Sequence, residues 1–515
     1  MNNGIYGSSF RRRLSSDVAI LIYIAAVDFA FHMAFAGSYG YFRDELYYIV
    51  SGQHLSFGYV DFPPMIAVLA AVMYAIAGDS LVSIHVIPAL VGGSLVFTSG
   101  MIARELGGKR KSQVMTAVAT LFTLVFIATT SQFTMDIIDA LWWSLAAYIL
   151  VRLIRQNNPK LWIPFGLVAG LGVFTKLTML FFLFAIMIGL LFTPARSHFR
   201  TKYFWLGSLI TLAFLLPFIS WNALNDWATV QFYLNYGGLT GGGPVGFFAF
   251  QLIGINPLNI PLFVGGLIFY LWKPQGRPFR ALGFAYIVLY ILFTIINAKS
   301  YFLTPVYPML FAGGAVLFER SVMQNRRWRS PVYMGGIIIT GLLFAPLLMP
   351  ILPAPTYVST YEFLTPLGNG GAGQANAGLL PQYLGDRLGW DTMTTSVAHV
   401  YNGLPPQQKA QACIFTNNYG EASALTFLGK EYGLPDVISG HNNFYLWGPG
   451  SCSGQVIITV GLTLSDDLQS FSNVTQAGLI TCTYCMNSEN NLPVYVCTGP
   501  KAPPEDTWAT VKHFN

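Results

Sequence analysis

The sequence predicts a polytopic α-helical membrane protein of about eleven transmembrane helices that ends in a small extracytoplasmic α/β or α+β domain. Three observations predict it. Hydrophobic residues make up 54% of the 515 positions and charged residues only 10%, against roughly 25% charged in a soluble domain, and mean hydropathy is +0.52. Apolar stretches of spanning length recur from about residue 17 to residue 350. Beyond Pro350 the composition turns to Gly, Asn, Thr and Pro with short alternating apolar runs. The net charge of +6 does not imply a polyanion partner. Lys and Arg sit in short clusters between apolar runs, not on one face or tail, so they report topology and nucleic acid is not an expected partner.

A helix needs roughly 20 apolar residues to cross the hydrocarbon core. Spans are expected at about 17–37, 86–103, 113–132, 137–153, 161–175, 177–193, 203–221, 247–271, 281–297, 302–318 and 331–350. Arg11, Arg12 and Arg13 precede the first of these. That run is longer than a signal-peptide core of about 7 to 15 residues and no A-x-A-like site follows it, so it reads as an uncleaved span with a cytoplasmic N-terminus. Lys and Arg near span ends collect on the cytoplasmic side. With the N-terminus inside, the clusters Arg104 to Lys111, Arg152 to Lys160, Arg196 to Lys202, Lys273 to Arg280 and Arg320 to Arg329 all fall inside. The apolar stretch 65–77 would invert this parity if it crossed, and at about 13 residues it is short for a span. It is therefore expected outside, as an interfacial or re-entrant helix started by Pro63 and Pro64.

These assignments give a transmembrane part at 1–350 with a long first external loop at 38–85, a linker at 351–379 and a C-terminal domain at 380–515. Gln455 to Val460 and Val494 to Val496 read as strands of that domain. The Gly-, Asn- and Ala-rich stretch 366–378 reads as the flexible part of the linker. All five cysteines, Cys413, Cys452, Cys482, Cys485 and Cys497, lie in this domain. A zinc site could use Cys482-x-x-Cys485, but outside the cytoplasm disulfides are favoured, here with one thiol left over and connectivity open. The sequon Asn473-Val474-Thr475 carries little weight in a bacterial host.

Ionisable residues at membrane depth are costly and point to function. Asp44 and Glu45, in Arg43-Asp44-Glu45 after the first span, could act as a general base or hold a cation; they could equally cap and anchor a short helix. GYVDFPPM at 58–65 follows, with Tyr59 and Asp61. Asp136 and Asp139 in FTMDIIDALWW share one helix face at the external start of a span, where helix capping is the competing reading. Lys176 and Lys299 break the positive-inside bias on that same side. An anionic partner such as a phosphate accounts for them, as does snorkelling at span ends. Among the histidines only His441, in SGHNNFYLWGPG with Asn442, sits in a loop suited to a sugar or lipid headgroup. The glycines of 235–244 suit a lid or a linker equally. Neither GxxxxGK[ST] nor GxGxxG after a strand occurs, which leaves no nucleotide site to compete.

In this order, these segments resemble the polytopic glycosyltransferases that use polyprenyl-phosphate sugars, the protein O-mannosyltransferases and the related lipid A aminoarabinose transferase of the GT-C fold. RDELYY through GYVDFPPM, the short apolar helix and ARELGGKR look like the first-loop signature of that family. TMDIIDALWW, FTKLT and AKSYFLTPVYPMLFAGGA continue it through the first 320 residues. NYGEASAL and SGHNNFYLWGPG look like the tail of bacterial members with a small periplasmic domain. The family often has His or Lys where this chain has Phe62, and Arg where it has His85, which bears on the donor more than on the reaction.

The resemblance implies an enzyme of the bacterial inner membrane, its N-terminus cytoplasmic and its C-terminal domain periplasmic. It would transfer a monosaccharide from a polyprenyl-phosphate carrier, with inversion, to an envelope lipid, glycan or protein. Asp44 would be the general base with Glu45 assisting, and Asp136, with Asp139 as alternative, would hold the acceptor or a cation. Lys176, Lys299, His85 and Arg43 would meet the donor phosphate. Tyr59, Asp61, Tyr301, His441 and Asn442 would line the substrate. No cofactor and no fixed metal site are implied, while a divalent cation stays open. The alternative class is a lipid or solute transporter, but transporters place charges near mid-bilayer and show repeat symmetry. Here the acidic residues gather at one interface.

Overall fold

The structure is a computed structural model that describes residues 16–235, 243–321, 328–364 and 378–515. The Arg11 to Arg13 cluster, most of the expected linker at 366–378 and the glycine run at 236–242 lie outside the described residues. The chain divides into two compact units. The first comprises residues up to Ala36, His85–Trp221 and Gly238–Met349; the second comprises Gly37–Ile84, Asn222–Gly237 and Pro350–Asn515.

The first unit is a helical bundle. Among the described residues six helices are long and apolar enough to cross a membrane, and nine if each of three bent pairs is one span. The expected first span is the helix Asp17–Met33. Two of the bends explain each other. The expected span 113–132 is Arg110–Leu121 followed by Leu124–Thr130, bent by 61°, and the expected span 247–271 is Gly243–Ile253 followed by Pro257–Trp272, bent by 87°. A broken helix leaves carbonyls unpaired, and at membrane depth only protein can satisfy them. Asn256 does so: held at φ 70°, it donates its amide to the Phe122 carbonyl at 3.1 Å and to the Ile337 carbonyl at 3.2 Å. The Val125 N–H in turn donates to the Gly254 carbonyl at 2.9 Å. Helices Ile260–Trp272 and Tyr307–Arg320 pack backbone to backbone, because a Cβ on Gly314 would lie 1.9 Å from the Leu262 carbonyl oxygen. Close approach through small residues is how helices gain contact where lipid supplies no hydrophobic drive.

The second unit joins the long first loop to the C-terminal domain. Its sheet has strands β1 (Ala412–Thr416), β2 (Val437–Ser439), β3 (Val456–Val460), β4 (Phe471–Ile480) and β5 (Leu492–Pro500) in the order β2-β1-β3-β5-β4. β1 runs parallel to β2 and β3, while β5 is antiparallel to β3 and β4. The two strands expected at 455–460 and 494–496 are β3 and part of β5. Cys413, Ile457, Phe471, Tyr495 and Cys497 form a core on this sheet. One disulfide, Cys413–Cys452, is present. Cys482, Cys485 and Cys497 are thiols, a correction to the expectation of two disulfides, since Cys497 is turned into the core beside Thr459 instead of toward another cysteine. The apolar stretch 65–77 is a 13-residue helix, Met65–Ala77. It buries Ile66, Ala67 and Ala70 and exposes Val68, Val72 and Ile76, so its burial is one-sided.

Candidate active site

In the second unit the first loop enters the helix Arg43–Gln53 from an extended Phe42. Glu45 closes that helix end: its carboxylate accepts the Phe42 N–H at 2.8 Å and is fully buried, with the positive charge of buried Arg387 near it. Arg43, expected at a phosphate, is directed instead to Asp386 at 2.9 Å and Glu489 at 2.8 Å. Those two carboxylates push its already high pKa further up, against the effect of burial. Asp44 lies between these two in the chain. Its Oδ1 accepts the Tyr419 hydroxyl at 2.9 Å.

Asp61 comes from the turn that precedes Pro63 and Pro64. Its Oδ1 accepts the Tyr47 hydroxyl at 3.1 Å and lies 3.5 Å from the Asn443 amide. Burial, and then the neighbouring charge of Asp44, push its carboxyl up to about 7. Tyr59 is packed inside the loop: it donates to the Ser51 and His54 carbonyls at 3.0 and 3.1 Å and stacks on Phe62 at 4.7 Å. Phe62, where the family often has a base, is 1% exposed and also packs edge-on against Tyr47 and Tyr48.

His441 accepts the Tyr419 N–H on Nδ1 at 3.2 Å, while its Nε2 meets the Asn515 carbonyl at 3.1 Å. Burial lowers its pKa to about 4, so it is a neutral support for Tyr419. Asn442, at φ 48°, is 1% exposed. Its side-chain amide has no hydrogen-bond partner among the described residues.

In the first unit a second set forms around Lys176, which ends the helix Trp162–Thr175 in extended backbone. Its Nζ pairs with Asp136 in the first turn of the helix Met135–Gln156. It also lies over two rings, 4.6 Å from Phe302 and 5.3 Å from Tyr301, a geometry in which ring quadrupoles attract a cation. Asp139, one turn on, is 2% exposed and accepts from Trp143 Nε1 at 2.9 Å and Thr178 Oγ1 at 2.6 Å. Lys299 is half-buried and opens the turn Ser300–Val306. That turn is tied down by Gln251, which donates to the Ser300 carbonyl at 2.9 Å. His85 is buried with Nδ1 on the Ala36 carbonyl at 2.7 Å.

The structure thus brings Asp44 near Asp61 in one unit and Asp136 together with Lys176 and Tyr301 in the other. It engages Arg43, Glu45 and Tyr59 in holding the fold. Tyr47, Phe302, Tyr419 and Asn443 were not singled out from sequence. Tyr419 lies inside NYGEASAL, and Asn443 inside SGHNNFYLWGPG next to His441 and Asn442. Among the described residues no three His, Cys, Asp or Glu side chains come together as a metal site.

A helical bundle with a structured first loop carrying paired acids, and a small sheet domain after the last span, defines a polytopic membrane protein of the GT-C fold. The chain is similar to membrane glycosyltransferases over part of its length. Residues 61–221 match the family model of the dolichyl-phosphate-mannose-protein mannosyltransferases. The chain is 26% identical over 199 residues to the lipid A galacturonosyltransferase RgtD of Rhizobium johnstonii, which is 37% of this chain and 40% of that protein, so the match spans less than half of the relative's length. Two crystal structures of ArnT from Cupriavidus metallidurans share the fold. The one bound to undecaprenyl phosphate has a TM-score of 0.63 at 14% identity over 93% of this chain and 97% of ArnT. The apo state has a TM-score of 0.61 at 15% identity over the same shares.

Proposed function

We propose that the protein is an inverting glycosyltransferase that moves a monosaccharide from a polyprenyl-phosphate carrier to an acceptor in the cell envelope, at the outer face of the cytoplasmic membrane. The observation that carries this reading is the environment of Asp44. Arg43 and Glu45 on either side are consumed by salt bridges and helix capping, while Asp44 stands beside a second carboxylate of raised pKa.

In the reaction, Asp44 takes the proton of the acceptor hydroxyl and the acceptor oxygen attacks the anomeric carbon. The bond from that carbon to the phosphate oxygen breaks, and the polyprenyl phosphate leaves as an anion. A phosphate leaving group needs little protonation, so fixed cations can replace the general acid of a hydrolase. Lys176 and Lys299 are those cations. Asp136 orients Lys176, and the faces of Tyr301 and Phe302 hold it. The undecaprenyl phosphate bound to ArnT and the lipid A named for RgtD support a polyprenyl-phosphate donor and a lipid acceptor.

The test is incorporation of labelled sugar from synthetic galacturonosyl, aminoarabinosyl and mannosyl polyprenyl phosphates into envelope lipid. Asp44→Asn is expected to abolish it while expression and membrane insertion persist; full activity in that variant sinks the assignment. Mass spectrometry of envelope lipids, glycans and secreted proteins from a deletion strain then names sugar and acceptor through the mass of one lost residue.

A further inference from the structure

We propose that Tyr419 and Asn443, from the C-terminal part of the chain, are positioning residues for the reaction, with Tyr419 fixing Asp44 and Asn443 fixing Asp61 through Tyr47. The inference rests on the reading of Asp44 as the base.

A general base must present its lone pair within about 2.6–3.2 Å of the proton it takes, and an unrestrained carboxylate turns freely about its last torsion. Asp44 is restrained by the hydroxyl of Tyr419 at 2.9 Å. The backbone around Tyr419 is itself tied on each side. Asn418 Oδ1 accepts the Gly420 and Glu421 N–H groups at 2.8 and 3.0 Å. The Glu421 carboxylate accepts the Asn417 N–H at 2.9 Å, and the Tyr419 N–H is spent on His441. Three sets of bonds thus place one phenol, whose hydroxyl serves the carboxylate.

Asn443 does the same work at the second carboxylate. Its Oδ1 accepts the Val60 N–H at 2.8 Å, one residue before Asp61, and its Nδ2 donates to the Tyr47 hydroxyl at 2.5 Å. Tyr47 donates its proton onward to Asp61 at 3.1 Å. A hydroxyl that accepts while it donates is polarised and makes the stronger bond. The rings of Tyr47 and Tyr419 lie 4.6 Å apart, so the two holders are packed as one piece. Asn443 is 1% exposed, and its amide is committed to the loop that carries Asp61.

Tyr419→Phe keeps the ring and removes one oxygen. In the purified full chain, assayed with the labelled polyprenyl-phosphate sugars above, kcat is expected to fall about tenfold or more with donor KM within about twofold. The acid limb of the pH–rate profile is expected to move up by about one unit, because ionised Asp44 has lost a donor. Asn443→Ala is expected to lower kcat similarly at unchanged KM. It decides alone if Tyr419→Phe fails size exclusion and circular dichroism. Wild-type rates and pH profile in the folded variants, with Asp44→Asn inactive, overturn the positioning proposal. An active Asp44→Asn overturns the base assignment instead.

Discussion

Lys176 forms an ion pair with Asp136 while resting on the face of Phe302. A lysine tethered by a carboxylate and a ring cannot snorkel freely, so its charge stays at one place when a phosphate arrives. Removing it is expected to act on the leaving group. Lys176→Gln should reduce kcat/KM for the polyprenyl-phosphate sugar by about a hundredfold and weaken inhibition by the free polyprenyl phosphate. Unaltered inhibition in that variant would show that the phosphate is met elsewhere.

Asp44 and Glu45 are expected to separate cleanly in a stability measurement. The Glu45 carboxylate caps its helix and faces the charge of Arg387, itself 2% exposed. Glu45→Ala loses about 1 kcal/mol from the cap alone and more from removing a carboxylate whose charge acts on the buried Arg387. A clear fall in melting temperature is expected for Glu45→Ala, and a larger one than for Asp44→Asn. Equal losses in the two variants, read by scanning fluorimetry of the purified protein, would contradict the division of labour.

That division was not legible in the sequence, since two adjacent acids after a span suit capping and catalysis equally. The bundle was more legible, because lipid imposes apolar length and basic clusters mark one side. The breaks in it were not: Asn256 answers a carbonyl 134 residues away, and nothing local announces that. Arg43 looked like a phosphate ligand because its carboxylate partners, Asp386 and Glu489, lie far along the chain. Tyr419 reaches Asp44 across 375 residues and Asn443 reaches Val60 across 383. Their neighbours in SGHNNFYLWGPG, His441 and Asn442, carried the visible signal.

The single disulfide closes a loop of sequence separation 39 between Cys413 and Cys452. A crosslink of that reach stabilises by about 2–4 kcal/mol. Replacing both cysteines by serine is expected to hasten proteolysis of the C-terminal domain, and peptide mapping without reductant to recover the linked pair. The same map should show Cys482, Cys485 and Cys497 alkylated after unfolding. A peptide linking Cys482 to Cys485 would refute that pattern.

Asp61 makes stability depend on pH in a stated direction. Its carboxyl titrates at about 7 in the fold against an ordinary 3.8, so the folded chain binds the proton more tightly than the unfolded one. Below about pH 4 both states are protonated and the group costs nothing. Between there and pH 7 the unfolded chain ionises first, and the fold loses stability as pH rises; above pH 7 the cost is complete. Asp61→Asn removes the titration while keeping an acceptor for Tyr47. It should therefore melt above the wild type at pH 8, with the gap closing as pH approaches 4. A gap that is constant across this range, or that widens toward acid, would mean that Asp61 does not titrate in the fold in the stated direction.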